Sequence, residues 1–318
     1  MRRREFVWAC AAASGTWPFA ALAQKPMPVI GILDPDVTFI FDAFVEGMRD
    51  LGYVEGQNIT YQRKVARGKP ETMPSLAIEL VKLKVDVIVT VATQWVRAAR
   101  QATSSIPIVS LATPDPVSAG LVDSLSKPGG NITGLSWFVS ELSEKRVELL
   151  HELIPNLRDV AVFYEPRAPT SLEPTEQTGR RLGLQLRVTA LPSVDSFEPA
   201  FLDAANAHVD AVDVLASPFF NANRSLLAEL AAKYRLPAIY ETGEYVRSGC
   251  LITYGPVFTD MGRRGATYVD KILKGAKPGD LPIERSTKFE LAINLKAARA
   301  LGLSVPPSIL ARADDLIE

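Results

Sequence analysis

Residues 85–91 read Val-Asp-Val-Ile-Val-Thr-Val and give the clearest indication of the fold class. Such a run of β-branched residues is typical of a strand that is buried on both faces of a parallel sheet. A helical stripe at 76–83 precedes this strand, and a second apolar strand at 106–111 follows it after another short helix. Strands that alternate with helices in this way predict an α/β unit with helices on both faces of its sheet.

The same alternation continues along the chain and is interrupted at Lys-Pro-Gly-Gly-Asn, residues 127–131. This is the strongest turn cluster in the sequence, and the strand–helix pattern starts again after it. We therefore predict an α/β fold of two Rossmann-like lobes, each with a parallel sheet. The end of the chain adds a strand at 251–254, a helix at 261–273 and a strand at 289–293, which do not belong simply to the second lobe.

Several segments are therefore expected to cross between the lobes and to form a multi-segment hinge. A hinge suits the sequence better than a linker, because no long Pro/Ser-rich or charged stretch separates the halves. The expected first lobe holds residues 24–135 and about 254–285. The expected second lobe holds residues 136–253 and about 286–318.

The composition is that of an ordinary globular protein. Of the 318 residues, 47% are hydrophobic and 22% are charged, and the formal net charge is −1. A nucleic-acid-binding protein would carry a basic face, so we expect no nucleic-acid partner. Two isolated histidines and one cysteine beyond residue 23 make a poor set of transition-metal ligands, so we expect no metal site. We expect the protein to be a monomer.

The first 23 residues differ in kind from the rest of the chain. Arginines at 2–4 are followed by an apolar run at 7–13 and by Ala-Leu-Ala at 21–23. These features predict a signal peptide that is cleaved after about residue 23, which would place the mature protein in the periplasm. Arg-Arg-Glu-Phe at 3–6 resembles a twin-arginine export signal, although a basic start also suits the general secretion route. No later segment has the roughly 20 apolar residues of a membrane span.

Polar and aromatic side chains follow the predicted strands at the ends where ligands bind in open α/β sheets. Two such sheets that face each other would form a cleft between their strand-end loops. The candidates for its lining are Asp34, Thr93, Gln94, Thr113, Asp115, Trp137, Tyr164, Ser217 and Glu241. Each of them has a structural alternative, because Thr and Asp at strand ends are commonly helix caps or turn residues.

The candidates suggest complementary roles toward a small solute. Thr93 opens a predicted helix, which it would cap while neighbouring amides bind a carboxylate. Asp115 or Glu241 would accept hydrogen bonds from an ammonium or hydroxyl group. Tyr164 and Trp137 would cover an apolar or aromatic body. The loops that start helices favour an amino acid or aromatic carboxylate over a sugar. A sugar site would usually show more stacking aromatic residues, which make up only 8% of this chain.

Motifs spread over the chain carry a resemblance to a known family. Among them are Gly52–Asn58, Asp115–Val122, Lys127–Gly134, Ile272–Gly275 and Asn294–Ala298. On these motifs the sequence resembles the ABC transporter substrate-binding protein family that includes the tryptophan-binding type, which has the type I periplasmic-binding fold. The ending at Pro306–Asp314 resembles a branch that is common in soil bacteria.

The resemblance implies a protein that closes over one small solute and delivers it to ABC permease subunits in the membrane, driven by a separate ATPase. Members of the family often bind amino acids or aromatic acids. This sequence differs from the tryptophan binders at the ligand loops, so the identity of the ligand does not carry over. A periplasmic sensor subunit, with the same fold and a signalling partner, remains an alternative.

Enzyme motifs are absent from the sequence. No G-x-G-x-x-G follows the first strand, no Walker A motif is present, and Gly-Leu-Ser-Trp-Phe at 134–138 is not a nucleophile elbow. We therefore expect no cofactor and no enzymatic activity. An exported hydrolase or isomerase that uses Asp115 and Glu241 is the less favoured alternative. The charged run at 141–148 is interpreted as a solvated helix face.

Overall fold

The computed structural model describes residues 27–168 and 171–318. The expected signal peptide at 1–23, with its twin-arginine motif, lies outside these residues and stays a prediction. Within the described ranges, no helix combines the length and the apolar character that crossing a membrane requires.

Thirteen strands in the described residues form two sheets. In chain order the strands are β1 (Val29–Asp34), β2 (Thr60–Val65), β3 (Val87–Thr90), β4 (Ile108–Pro114), β5 (Ile132–Trp137), β6 (Asp159–Tyr164), β7 (Gln185–Ala190), β8 (Ala211–Val214), β9 (Ala238–Tyr240), β10 (Ile252–Pro256), β11 (Glu284–Arg285), β12 (Phe289–Asn294) and β13 (Asp315–Ile317). The first sheet has the order β11-β5-β4-β3-β1-β2, and the second has the order β13-β12-β10-β9-β8-β6-β7.

Helices cover both sheets and follow most of the strands. In chain order they are α1 (Thr38–Asp50), α2 (Met73–Lys82), α3 (Thr93–Ala102), α4 (Val139–Leu153), α5 (Leu172–Arg181), α6 (Phe197–Asn206), α7 (Pro218–Ala222), α8 (Arg224–Lys233), α9 (Gly243–Arg247), α10 (Phe258–Leu273), α11 (Leu295–Leu301) and α12 (Pro307–Leu310). The prediction of two α/β lobes with parallel sheets is confirmed.

One strand pair departs from the parallel pattern. β10 pairs antiparallel with β12, and Pro256 lies opposite Phe289. The reason is the path of the chain, because β10 ends at the boundary between the lobes and β12 begins there. The expected all-parallel second sheet therefore contains one antiparallel pair.

The central run of the first sheet is buried on both faces, as its composition predicts. Val87 and Val89 of β3 join one hydrophobic core, while Ile88 between them joins the core on the opposite face. Alternate side chains of a strand point to opposite faces of its sheet. Both faces of this strand are therefore apolar at Val87, Ile88 and Val89, and the buried Thr90 hydroxyl at its end donates to the Leu33 carbonyl.

Helices α1 and α10 pack against each other closely on one face of the first sheet. A Cβ atom at Gly262 would lie 2.3 Å from the carbonyl oxygen of Ile40, and one at Gly47 would lie 2.8 Å from the carbonyl oxygen of Arg263. Glycine at these positions lets the two backbones touch. The contact attaches α10, which comes late in the chain, to the first lobe.

The chain crosses between the two sheets after Trp137, after Pro256 and after Arg285. The first two crossings were expected slightly earlier, at 135/136 and 253/254. The last residues of a strand carry no sequence signal for the sheet in which they pair, so the exact lobe boundaries stay a prediction. The three crossings bring the carboxyl ends of both sheets to face each other.

Candidate functional site

A cavity of about 470 Å³ lies between the carboxyl ends of the two sheets. Loops that follow β1, β3, β4 and β5 form its wall in the first lobe, and loops that follow β6, β8 and β9 form its wall in the second. Six of the nine predicted residues line it, which are Thr93, Gln94, Asp115, Trp137, Ser217 and Glu241.

The structure places Asp34 outside the cavity. Its side chain is fully buried, accepts a hydrogen bond from the Val37 amide at 2.9 Å, and pairs with the Arg63 guanidinium at 2.8 Å. The carboxylate therefore fixes the turn between β1 and α1. The structural alternative of a turn residue replaces the expected role in the cleft.

Thr113 and Tyr164 also lie away from the cavity. The Thr113 hydroxyl is buried and bonded to the Ser110 hydroxyl, at the irregularity in the pairing of β4 with β5. Tyr164 packs at the edge of a hydrophobic core of the second lobe. The side chain of each residue is directed into its own lobe, and strand-end position alone does not reveal that direction.

The first-lobe wall contains a strained turn at the start of α3. Ala92 has φ 60° and ψ 148°, a conformation that residues with a side chain rarely adopt. Ala92, rather than Thr93, occupies the N-cap position, so the expected capping by Thr93 does not occur. The Thr93 hydroxyl is buried and has no hydrogen-bond partner among the described residues. The hydroxyl of this cavity-lining residue is thus a buried donor and acceptor that the described residues leave unpaired.

The neighbouring loop after β4 is bound to α3. Asp115, at φ 34°, accepts a hydrogen bond from the Ser118 amide at 3.3 Å. The guanidinium of Arg97 donates to the Ala119 carbonyl at 3.2 Å and also lines the cavity. Arg97 was missed by the sequence analysis, which considered the first residues of this helix and not the next turn.

In the second lobe, Ser217 organises the loop after β8. Its hydroxyl caps α7 by accepting from the Phe219 amide at 3.0 Å, and it donates to the buried Glu165 carboxylate. Glu165 also binds Arg167 at 2.8 Å, and the Arg167 guanidinium lies 5.8 Å from the centre of the Phe219 ring. Arg167 is thereby held at the cavity, a second cationic side chain that the sequence analysis missed.

The part of the cavity wall closest to the crossings is apolar. Trp137 is buried and meets Phe258 edge to face, with the ring centres 6.0 Å apart. Phe39 belongs to the same wall, and both phenylalanines also line a second cavity of about 720 Å³ on their far side. Each phenylalanine lies in the first turn of a helix, and neither was among the residues predicted for the cleft.

Glu241 is the most buried acidic side chain that lines the cavity, with a 6% exposed fraction. Burial raises its pKa to about 7, while the Arg146 guanidinium and the Ser217 amide favour its ionised form. Below it, Arg146 and Asp213 are completely buried, with Nε and Oδ1 3.9 Å apart. Burial raises the pKa of Asp213 to about 6, against the opposing effect of Arg146.

Arg146 corrects the interpretation of 141–148 as a wholly solvated face. Its guanidinium donates to the Ser143 hydroxyl at 3.0 Å and to the Tyr254 carbonyl at 3.4 Å. The helical period contained the signal, because Leu142, Arg146, Leu149 and Leu153 share one stripe of α4. Within 27–168 and 171–318, no cluster of three His, Cys, Asp or Glu residues could hold a metal ion.

The sequence model of the ABC transporter substrate-binding protein family matches residues 29–317. The chain belongs to this family. Members of the family are solute-binding proteins, which agrees with a cavity between two lobes.

Three relatives illustrate the range of similarity within the family. A tyrosine-binding protein from Clostridioides difficile is 28% identical over 266 residues, which cover 82% of this chain and 75% of the relative. The structure of an ABC domain in complex with L-Trp from Streptococcus pneumoniae is 26% identical and has a TM-score of 0.84, covering 91% of this chain and 99% of that one. The coverage of both chains confirms the two-lobed fold class.

A third relative gives a comparison with an open form. The ligand-free, open structure of a substrate-binding protein with adhesive properties from Clostridium difficile is 25% identical, and the match covers 91% of this chain and 99% of that one. Its TM-score is 0.65. The identities to the two solved structures are nearly equal, so sequence divergence does not account for the lower score.

Proposed function

We propose that this protein is the exported solute-binding subunit of an ABC uptake transporter and that its lobes close over an aromatic amino acid. The observation that carries the proposal is the division of the cavity into an aromatic wall and a polar wall. Its volume of about 470 Å³ lies in the range typical of small-molecule sites. An aromatic amino acid is divided in the same way, because its ring is apolar and its ammonium and carboxylate groups are charged.

The aromatic wall suits the ring of such a solute. Trp137, Phe39 and Phe258 offer ring faces and edges, which favour another aromatic group beyond the gain from buried area alone. The polar wall suits the other end of the solute. The start of α3, with the unpaired Thr93 hydroxyl and Arg97 one turn on, supports binding of a carboxylate.

The relatives support the same class of solute. One is a tyrosine-binding protein and another was crystallised with L-Trp. A closing motion is supported by the TM-scores, because the chain fits the complex with L-Trp better, at 0.84, than the open, ligand-free structure, at 0.65. Contacts from both lobes then act together on an enclosed ligand, and the ligand shifts the population toward the closed form.

The cellular part of the proposal rests on the family and on the leader sequence. A cleaved leader at 1–23 would deliver the protein to the periplasm, where it would dock on ABC permease subunits. Deletion of the gene for the permease that this proposal requires should abolish uptake of the solute without changing its binding. Unchanged uptake in that strain would favour the sensor alternative.

The binding proposal is tested by calorimetry on residues 24–318 with L-tryptophan, L-tyrosine, L-phenylalanine, the corresponding ring-bearing carboxylates and a set of sugars. We expect at least one aromatic amino acid to bind with a dissociation constant near 1 μM, which corresponds to about −8 kcal/mol. Binding of a sugar alone, or of none of the aromatic compounds, would overturn the proposal.

A further inference from the structure

Glu241 differs from the other acidic side chains around the cavity. It follows β9 and faces the cavity with a 6% exposed fraction. Asp115 and Glu173 line the same cavity but are exposed, and the buried Glu165 is already paired with Arg167. Among the described residues, no cation lies within salt-bridge distance of the Glu241 carboxylate.

The position of Glu241 is set by its own backbone. A Cβ atom at Gly255 of β10 would lie 1.7 Å from the Glu241 carbonyl oxygen, so the two strand ends are in direct contact. This contact fixes the end of β9 at the hinge. The backbone from which the Glu241 side chain extends into the cavity wall is therefore held in place.

Among the described residues, the charged and titratable groups around Glu241 include no cation that is paired with its carboxylate alone. Arg146 of α4 faces it from below but is shared with Asp213 of β8, and Tyr245 of α9 is a neutral neighbour. Two buried carboxyl groups thus depend on one guanidinium. A buried carboxylate without a full partner is costly, and the side of Glu241 that remains open is the cavity.

We propose that Glu241 binds the ammonium group of the solute and selects amino acids against carboxylates of the same shape that lack the amine. The inference rests on the proposed function and adds to it the residue that distinguishes an amino acid from an aromatic acid. Asp115 is the rival acceptor, but its exposure to water would screen its charge.

The buried environment also predicts how binding depends on pH. Burial raises the pKa of Glu241 to about 7, so near neutral pH the carboxyl group is only partly ionised. The ionised form is the one that attracts an ammonium group. Affinity for an amino acid therefore rises as pH increases from about 6 to 8, whereas affinity for the des-amino acid does not.

The test compares L-tyrosine with 3-(4-hydroxyphenyl)propionate, and L-tryptophan with indole-3-propionate, by calorimetry at pH 6 and pH 8. For the wild type at pH 8 we expect each amino acid to bind about 100-fold more tightly than its des-amino partner, because the latter leaves a buried polar group unpaired. In Glu241→Gln, this ratio should fall below about threefold and the pH dependence should disappear. Glu148→Gln, a surface substitution outside the cavity, is the control and should leave both unchanged.

The outcomes separate this inference from the proposed function. If the wild type binds neither member of either pair, the proposed function fails. If it binds the des-amino acids as tightly as the amino acids, the proposed function stands and the role of Glu241 is wrong. Loss of discrimination in Asp115→Asn instead of Glu241→Gln would assign the ammonium group to Asp115. If Glu241→Gln does not fold, unchanged discrimination in Asp115→Asn together with a wild-type affinity that rises from pH 6 to pH 8 still supports Glu241, and a ratio that does not depend on pH contradicts it.

Discussion

Arg146 lies completely buried in α4, although the other charged residues of its run, Glu141, Glu144, Lys145 and Glu148, are at least partly exposed. Its nearest carboxylate oxygen is 3.9 Å away on Asp213, and its Nε has no hydrogen-bond partner among the described residues. A buried pair with this geometry adds little net stability. Its role is to keep two buried acids, Asp213 and Glu241, near one positive charge.

Replacing Arg146 by Met should therefore destabilise the protein in a pH-dependent way. At pH 8 we expect the free energy of unfolding to fall by about 3 kcal/mol, because ionised Asp213 and Glu241 lose their cation. At pH 5, below their pKa values of about 6 and about 7, both acids are protonated and the loss should be below about 1 kcal/mol. Urea unfolding at the two pH values measures the difference.

The matched control is Arg181→Met, which removes a guanidinium whose side chain is 56% exposed and which pairs with Glu148 on the surface. This variant should change the free energy of unfolding by less than about 0.5 kcal/mol at both pH values. An equal loss at pH 5 and pH 8 in Arg146→Met would contradict the electrostatic explanation and indicate a packing effect.

Phe39 separates the two cavities and should contribute directly to ligand affinity. Phe39→Ala would remove part of the aromatic wall and join the cavities, so we expect L-tyrosine or L-tryptophan to bind about tenfold more weakly. Phe289→Ala is the control, because Phe289 lines the second cavity but not the first. An equal loss of affinity in both variants, measured by calorimetry, would show that Phe39 does not act as a wall of the solute cavity.

At the scale of elements, the strands and helices were predictable where periodicity is strong, and their partners were not. The β-branched run at 85–91 correctly indicated a strand buried on both faces, with Val87 and Ile88 in opposite cores. The antiparallel pairing of β12 was not foreseen, because the direction of a strand depends on where the chain enters the sheet. A position at the end of a strand also suggested residues for the cleft. Thr93 and Glu241 line the cavity, whereas the side chain of Asp34 turns into its own lobe.

The packing of α1 on α10 predicts a severe effect of a small substitution. Gly262→Ala would place a methyl group 2.3 Å from the Ile40 carbonyl oxygen, so the two backbones must separate. We expect the free energy of unfolding to fall by more than about 2 kcal/mol, although alanine favours helices. The measurement is chemical denaturation followed by circular dichroism.

Gly179→Ala in α5 is the matched control for this contact. Its added Cβ would meet the end of the Leu186 side chain, which can move aside, rather than a backbone atom. We expect a change of less than about 1 kcal/mol in the free energy of unfolding. A similar loss in both variants would mean that the close backbone approach of α1 and α10 is not the limiting feature.

At the scale of the whole molecule, the cavity belongs to neither lobe alone. Thr93 and Arg97 approach it from the first lobe, and Ser217 and Glu241 approach it from the second. The division into two lobes was visible in the sequence as a restart of the strand–helix pattern. The details of the site were not visible in the sequence, because the site depends on how the surfaces of two lobes meet across three crossings.

Closure of the lobes predicts a change in overall size on binding. Saturating L-tyrosine or L-tryptophan, whichever binds, should reduce the radius of gyration measured by small-angle X-ray scattering. In Glu241→Gln the same concentration should produce a smaller fraction of the compact form, because the ligand binds less tightly. An unchanged radius for the wild type at full saturation would rule out hinge closure on binding.

The three crossings also determine when the protein can fold during its synthesis. The first lobe needs α10 and β11, which are made only after most of the second lobe. The second lobe in turn needs β12 and β13, near residue 317. Neither lobe is therefore complete while a ribosome is still translating the segment between them, and both lobes stay incomplete until β11, β12 and β13 have been synthesised.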